Sequence, residues 1–205
     1  MKSTIAALIT LLALLSHLTT SHATAIEREL TRVAEEVATL KLGFNDYILG
    51  GTLSADQKET GLNHAVEKSL AGTYKFKEGD VFVIASLEND TVLGMYKEFD
   101  DVDPDQLKSI IGSLMFEYGD PTVTAHDKLI YWAYNKGGKI AQDAYDFERS
   151  AGGSKILVTI KFSSKDRFGQ PPEKESDGQK TSAYLMISSD RLSQLFLALN
   201  KDTDK

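Results

Sequence analysis

An α+β domain is the fold this sequence predicts, built on an antiparallel sheet of about five to six strands with helices packed against it. Two observations predict it. Apolar spacing switches along the chain from the three-and-four rhythm of a helix to the alternation of a strand. The strand-like runs also cluster with turn residues between them, where a parallel fold would interleave strand and helix one by one.

The chain opens with Met1-Lys2-Ser3, an apolar run from Ile5 to Leu15, a more polar stretch from His17 to Ser21, and Ala23-Thr24-Ala25. That is the layout of a cleaved secretory signal. Ser16 and His17 end the run before it reaches the about 20 apolar residues of a membrane span. Cleavage is expected after Ala25, with Ala23 as a second cut point, so residues 1–25 are the expected signal and 26–205 the folded domain. The chain contains no cysteine, which excludes disulfides, thiolate metal sites, cysteine nucleophiles and a bacterial lipid anchor. The expected location is periplasmic or secreted, without an anchor.

Ile26, Leu30, Val33, Val37 and Leu40 form one helical seam, with charged residues on the other faces. The seam suits docking on a core; its heptad-like spacing also makes a homodimer through this helix a candidate. A second helix is expected from Ser54 to about Ala71, with Gly61 as a weak point inside it. Strands are expected at 73–76, 80–87 and 91–99, the last two joined by Glu88-Asn89-Asp90 as a hairpin. In the run from 81 to 84 apolar residues occupy both faces.

Asp103-Pro104 starts the clearest helix. Asp103 is a natural cap and Pro104 suits the first helical position. Leu107, Ile110, Ile111, Leu114, Met115 and Tyr118 make its core stripe, and Gly119 and Pro121 stop it. An antiparallel meander is then expected at 128–135, 140–149 and 155–162. Residues 163–182 are polar and contain Pro171-Pro172, which predicts a long mobile loop. A last strand at 183–187 and a helix capped by Ser189 or Asp190 complete the pattern.

Chemistry is sparse in this sequence. The formal charge is −7, which disfavours nucleic acid and anionic lipid. Asp101, Asp103 and Asp105 resemble the start of a calcium loop, but Gln106 and Gly112 stand where that loop needs Gly and Glu. Their expected role is to favour a helix N-terminus. His64 and His126 follow no metal-ligand spacing. No Walker, dinucleotide-binding or nucleophile-elbow motif is present. Neither a cofactor nor a metal is therefore expected.

The most distinctive stretch is Ile130-Tyr131-Trp132-Ala133-Tyr134, with Trp132 and Tyr134 on one strand face and Tyr131 on the other. One face must meet the core, and burial of Trp132 under the 107–118 helix is the expected outcome. Tyr131, Trp132, Tyr134, Asp100 and Asp101 are the candidate contact residues for a ligand or partner. A second candidate function is a carboxylate hydrolase using Asp100, Asp101 and Asp103 with His126, which requires them in one pocket.

From Pro104 to Phe162 the order of apolar helix, Gly119-Asp120-Pro121 stop, Trp132/Tyr134 strand and returning hairpin resembles small bacterial envelope modules of the SmpA/OmlA and β-lactamase-inhibitor-protein type. The resemblance implies a non-catalytic interaction role, and it assigns no functional residue. An exported binding module, taking an envelope protein or a small ligand, is therefore the expected function.

Overall fold

The structure is a computed structural model describing residues 24–66, 69–152, 155–168 and 180–201. The expected signal up to residue 23 and residues 169–179 of the expected loop lie outside the described residues. No helix among the described residues is long and apolar enough to cross a membrane.

Helix α1 (24–38) docks as its seam predicts. Leu30, Val33, Ala34 and Val37 are buried in the core cluster, so a homodimer through this seam would first have to undock the helix. Glu29 on α1 pairs with Arg32 on the same helix and with Arg191 near the C-terminus. The hydrogen bonds from Arg32 and Arg191 hold the Glu29 carboxyl down at about 2.

A short hairpin, β1 (Gly43–Phe44) and β2 (Tyr47–Ile48), leads to α2 (Ala55–Asn63). Ser54 and Gln57 form a capping box at the start of α2. This helix is much shorter than the sequence predicts. The chain leaves it at His64 because residues 64–66 extend and pair with a strand: Val66 N–H donates to Lys75 O at 2.8 Å. Leu62 and Leu70, both within the expected helix, are 57% and 55% exposed. Gly61, expected as a flaw, is instead a contact point. A Cβ there would lie 2.9 Å from the ring of Phe76.

Strands β3 (Thr73–Glu78), β4 (Val81–Ser86) and β5 (Val92–Val102) form the expected antiparallel run. Helix α3 (Pro104–Tyr118) follows, with Asp103 as cap: its carboxylate accepts from the N–H groups of Asp105 and Gln106, and the Gln106 side chain accepts from Asp103 N–H. Asp103→Ala should therefore lower stability by about 0.5–2 kcal/mol, and Asp103→Asn by much less. Urea unfolding of the two variants side by side checks this.

Beyond α3 the meander differs from expectation. A three-residue strand not foreseen in the sequence, β6 (Val123–Ala125), pairs with β7 (Leu129–Asn135). After the turn at Lys136-Gly137, β8 (Gly138–Lys139) pairs briefly with β7. Residues 140–149 do not return as a strand: Gln142–Ser150 is helix α4. Asp143 in its first turn and Arg149 in its last complement the helix dipole. Tyr145 and Glu148, three apart, are its covered side chains. Glu148 is buried and pairs with Lys155 at 3.2 Å.

β9 (Val158–Ser164) alternates cleanly, burying Val158, Ile160 and Phe162. β10 (Thr181–Ser188) and α5 (Asp190–Lys201) end the described chain. β10 enters the middle of the sheet, giving the order β3-β4-β5-β10-β9-β7-β6, with β8 beside β7. The fold is α+β, and its main sheet has eight strands rather than five to six. The last strand thus closes the sheet by long-range pairing with β5 and β9.

Directly paired residues share a sheet face. Phe76, Val83, Met95, Ile187, Ile160 and Trp132 form one such row, and all are essentially inaccessible. They belong to one core cluster with residues of α1, α3 and α5.

Candidate functional site

The opposite face of the same sheet has a different character. Lys77, Phe82, Tyr96, Met186, Lys161 and Tyr131 are successive cross-strand partners from β3 to β7. Beside this row Tyr184 pairs with Glu98 and Ser163. At the centre Tyr184 and Met186 are 43% and 41% exposed. Large apolar side chains usually bury, so an exposed aromatic-and-methionine centre on a sheet face calls for an explanation.

Each side of that centre holds a lysine–aromatic pair. On β3 to β5, the rings of Phe82 and Tyr96 stack at 4.6 Å, nearly parallel. Lys77 Nζ lies 4.8 Å from the Phe82 centroid, and Lys75 Nζ lies 5.7 Å from it. On β9 and β7, Lys161 Nζ lies 5.9 Å from the Tyr131 centroid. These cation–π contacts fix the long lysine stems over the sheet.

The expected contact residues divide between core and surface. Tyr131 stands on the open face, half-buried. Trp132 is wholly buried, and its indole N–H donates to Gly119 O at 2.8 Å. Its ring lies 5.7 Å from that of Tyr118, at the end of α3. Tyr134 is 9% exposed on the same inner face. Burial pushes the phenols of Tyr118 and Tyr134 above their ordinary range. Neither Trp132 nor Tyr134 can meet a partner without opening the core, which corrects their selection as contact residues.

Asp100 and Asp101 are exposed and have a structural explanation. Val102 pairs with Thr181 while Phe99 pairs with Ala183, so β5 carries one residue more than β10 there. This is a β-bulge. Asp101 adopts φ 56°, a left-handed conformation that Asp tolerates. The bulge resets the alternation and turns Val102 into the core just before Asp103 caps α3. Lys180 approaches Asp101 at 3.9 Å.

His126 lies in the β6–β7 turn and is exposed. It shares a sheet end with Asp100 and Asp101, but β10 and β9 separate β7 from β5. Three strand spacings of about 4.8 Å put roughly 14 Å between these strands. The acids and the histidine therefore do not form one pocket. Among the described residues no three His, Asp or Glu side chains cluster as a metal site would require.

Phe82, Tyr96, Tyr184 and Met186 escaped the sequence reading. One signal pointed to two strands of this face: β4 is apolar at both parities, and β7 carries an aromatic at both. The missing information was which parity the helices cover.

The fold and this surface define a two-faced α+β domain: among the described residues one sheet face carries the core, and the other is left uncovered by any helix and presents aromatic and lysine side chains. No protein family, curated protein or solved structure matches this chain.

Proposed function

We propose that this is an exported, non-catalytic binding protein whose contact surface is the open sheet face. The observation that carries the proposal is the exposure of Tyr184 and Met186 at the centre of that face, between two lysine–aromatic pairs. Aromatic residues and methionine are enriched at protein contact surfaces. A rigid sheet also presents them without ordering a loop on binding, which lowers the entropic cost. The secretory layout of residues 1–25 supports export, and the resemblance to envelope modules supports an interaction role. Trp132 contributes by holding the end of α3 to β7 beneath this surface.

A photo-crosslinking phenylalanine at position 186 tests the proposal in the producing cell. The same group at Phe116, 95% exposed on α3, controls for exposure alone. Position 186 should give a discrete adduct that position 116 does not. Equal labelling at both positions, or none at 186, would remove the open face as a contact surface.

A further inference from the structure

We infer that the open face docks an acidic protein, one that offers an apolar side chain flanked by carboxylates. This rests on the open face being the contact surface, and it adds the chemistry of the partner.

Charge complementarity is the first argument. The chain is acidic overall, with formal charge −7. Yet this face carries Lys75, Lys77 and Lys161 against Glu98. Among the described residues none of these three lysines has a carboxylate within salt-bridge distance, a state they share with Lys41, Lys128, Lys139 and Lys165, whereas Lys58, Lys97 and Lys155 are paired. Lys75 instead reaches the Tyr96 hydroxyl, at 3.5 Å.

Ring orientation is the second. Phe82 on β4 lies between Tyr96 of β5 on one side and Lys77 of β3 on the other. Both of its faces are occupied. A sugar or nucleobase therefore has no free Phe82 face on which to stack. The edge of a ring held in this way is the positive part of its quadrupole. Edge and ammonium together favour carboxylates.

The layout of the face points the same way. Met186 and Tyr184 form an apolar centre, and the lysines stand on either side of it. From β3 to β9 there are four strand spacings, or roughly 19 Å. An apolar centre with a charged rim is how protein interfaces are built. Strand addition is disfavoured at both sheet edges. Residues 64–66 already pair with the outer edge of β3, and β6 at the other edge is three residues long. The partner therefore meets the face.

The test uses the position-186 crosslinker in full-length chain, with Lys75, Lys77 and Lys161 all changed to Glu or all changed to Arg. The Glu set should lower the adduct by about tenfold or more and the Arg set should retain it, because like charges across an interface suppress binding. Raising salt should weaken the adduct of the unsubstituted chain, which tests the charge dependence even if the Glu set folds poorly. Mass spectrometry should find the crosslinked peptide rich in Asp and Glu around an apolar residue. An adduct that survives the Glu set in a folded protein, and resists salt, overturns the inference while leaving the contact surface in place. A neutral or basic peptide, a glycan, a nucleic acid or a second copy of this chain at position 186 overturns it too. No adduct from the unsubstituted chain removes both proposals together.

Discussion

Replacing Trp132 by alanine should cost about 3–5 kcal/mol of folding stability, the range for deleting a fully buried large aromatic side chain. Two losses combine. The inner row of the sheet ends on Trp132, paired with Ile160 and inaccessible to solvent. Its removal leaves a cavity between β7 and the end of α3. The Gly119 carbonyl also loses the indole donor that holds the helix terminus to the sheet at 2.8 Å. Trp132→Phe separates these effects, since it keeps most of the bulk and loses the hydrogen bond, worth about 1 kcal/mol. Trp132 is the single tryptophan. Its fluorescence therefore reports on this site, and the variants are best followed by circular dichroism in urea. A Trp132→Ala protein less than about 1 kcal/mol weaker would mean that α3 is not anchored here.

Gly50→Ala should have an effect of similar size, about 3 kcal/mol, from strain plus overpacking. Gly50 has φ +77°, and a Cβ on it would sit 2.4 Å from the backbone oxygen of Ala34 and 3.1 Å from the Val37 side chain. Its N–H also donates to Val92 O at 2.8 Å. The segment between β2 and α2 is thus held here between α1 and the start of β5. Gly79→Ala is the natural control. Gly79 also has positive φ, +59°, but nothing lies within 4 Å of the added atom. It should show the conformational cost alone, about 1–2 kcal/mol. Equal melting shifts in the two variants would show that the contact between α1 and Gly50 is looser than described.

Much of the architecture was legible from local chemistry. The α1 seam, the Asp103 cap with Pro104, and the alternation of Ile160 and Phe162 each announce their element through side chains a few residues apart. Two elements were misread for one reason. Residues 64–66 leave the expected helix to pair with the edge of β3, and a helix, 142–150, takes most of the stretch expected as a strand at 140–149. Both outcomes depend on which distant backbone is available to pair with. Local pattern carries no such information.

The contact surface was legible only in part. Tyr131 could be placed opposite Trp132 by strand parity, and the burial of Trp132 could be anticipated from its size. Phe82, Tyr96, Tyr184 and Met186 could not be joined to Tyr131, because they lie on three other strands and meet only through pairing register. The acids at 100 and 101 looked like chemistry, and the bulge accounts for them as geometry.

By itself the sequence determined the α+β class, the lack of any cysteine chemistry, the acidic balance, and the start of α3. These follow from composition and short-range periodicity. Tertiary structure alone decided that β10 enters the centre of the sheet, that Gly61 and Gly50 are close contacts, and that one sheet face is left uncovered among the described residues. The physical reason is shared. Covering a face or closing a sheet is a choice among segments far apart in the chain, and it is settled by which apolar surfaces can be buried together. The aromatic and lysine residues of the open face are what that choice left outside.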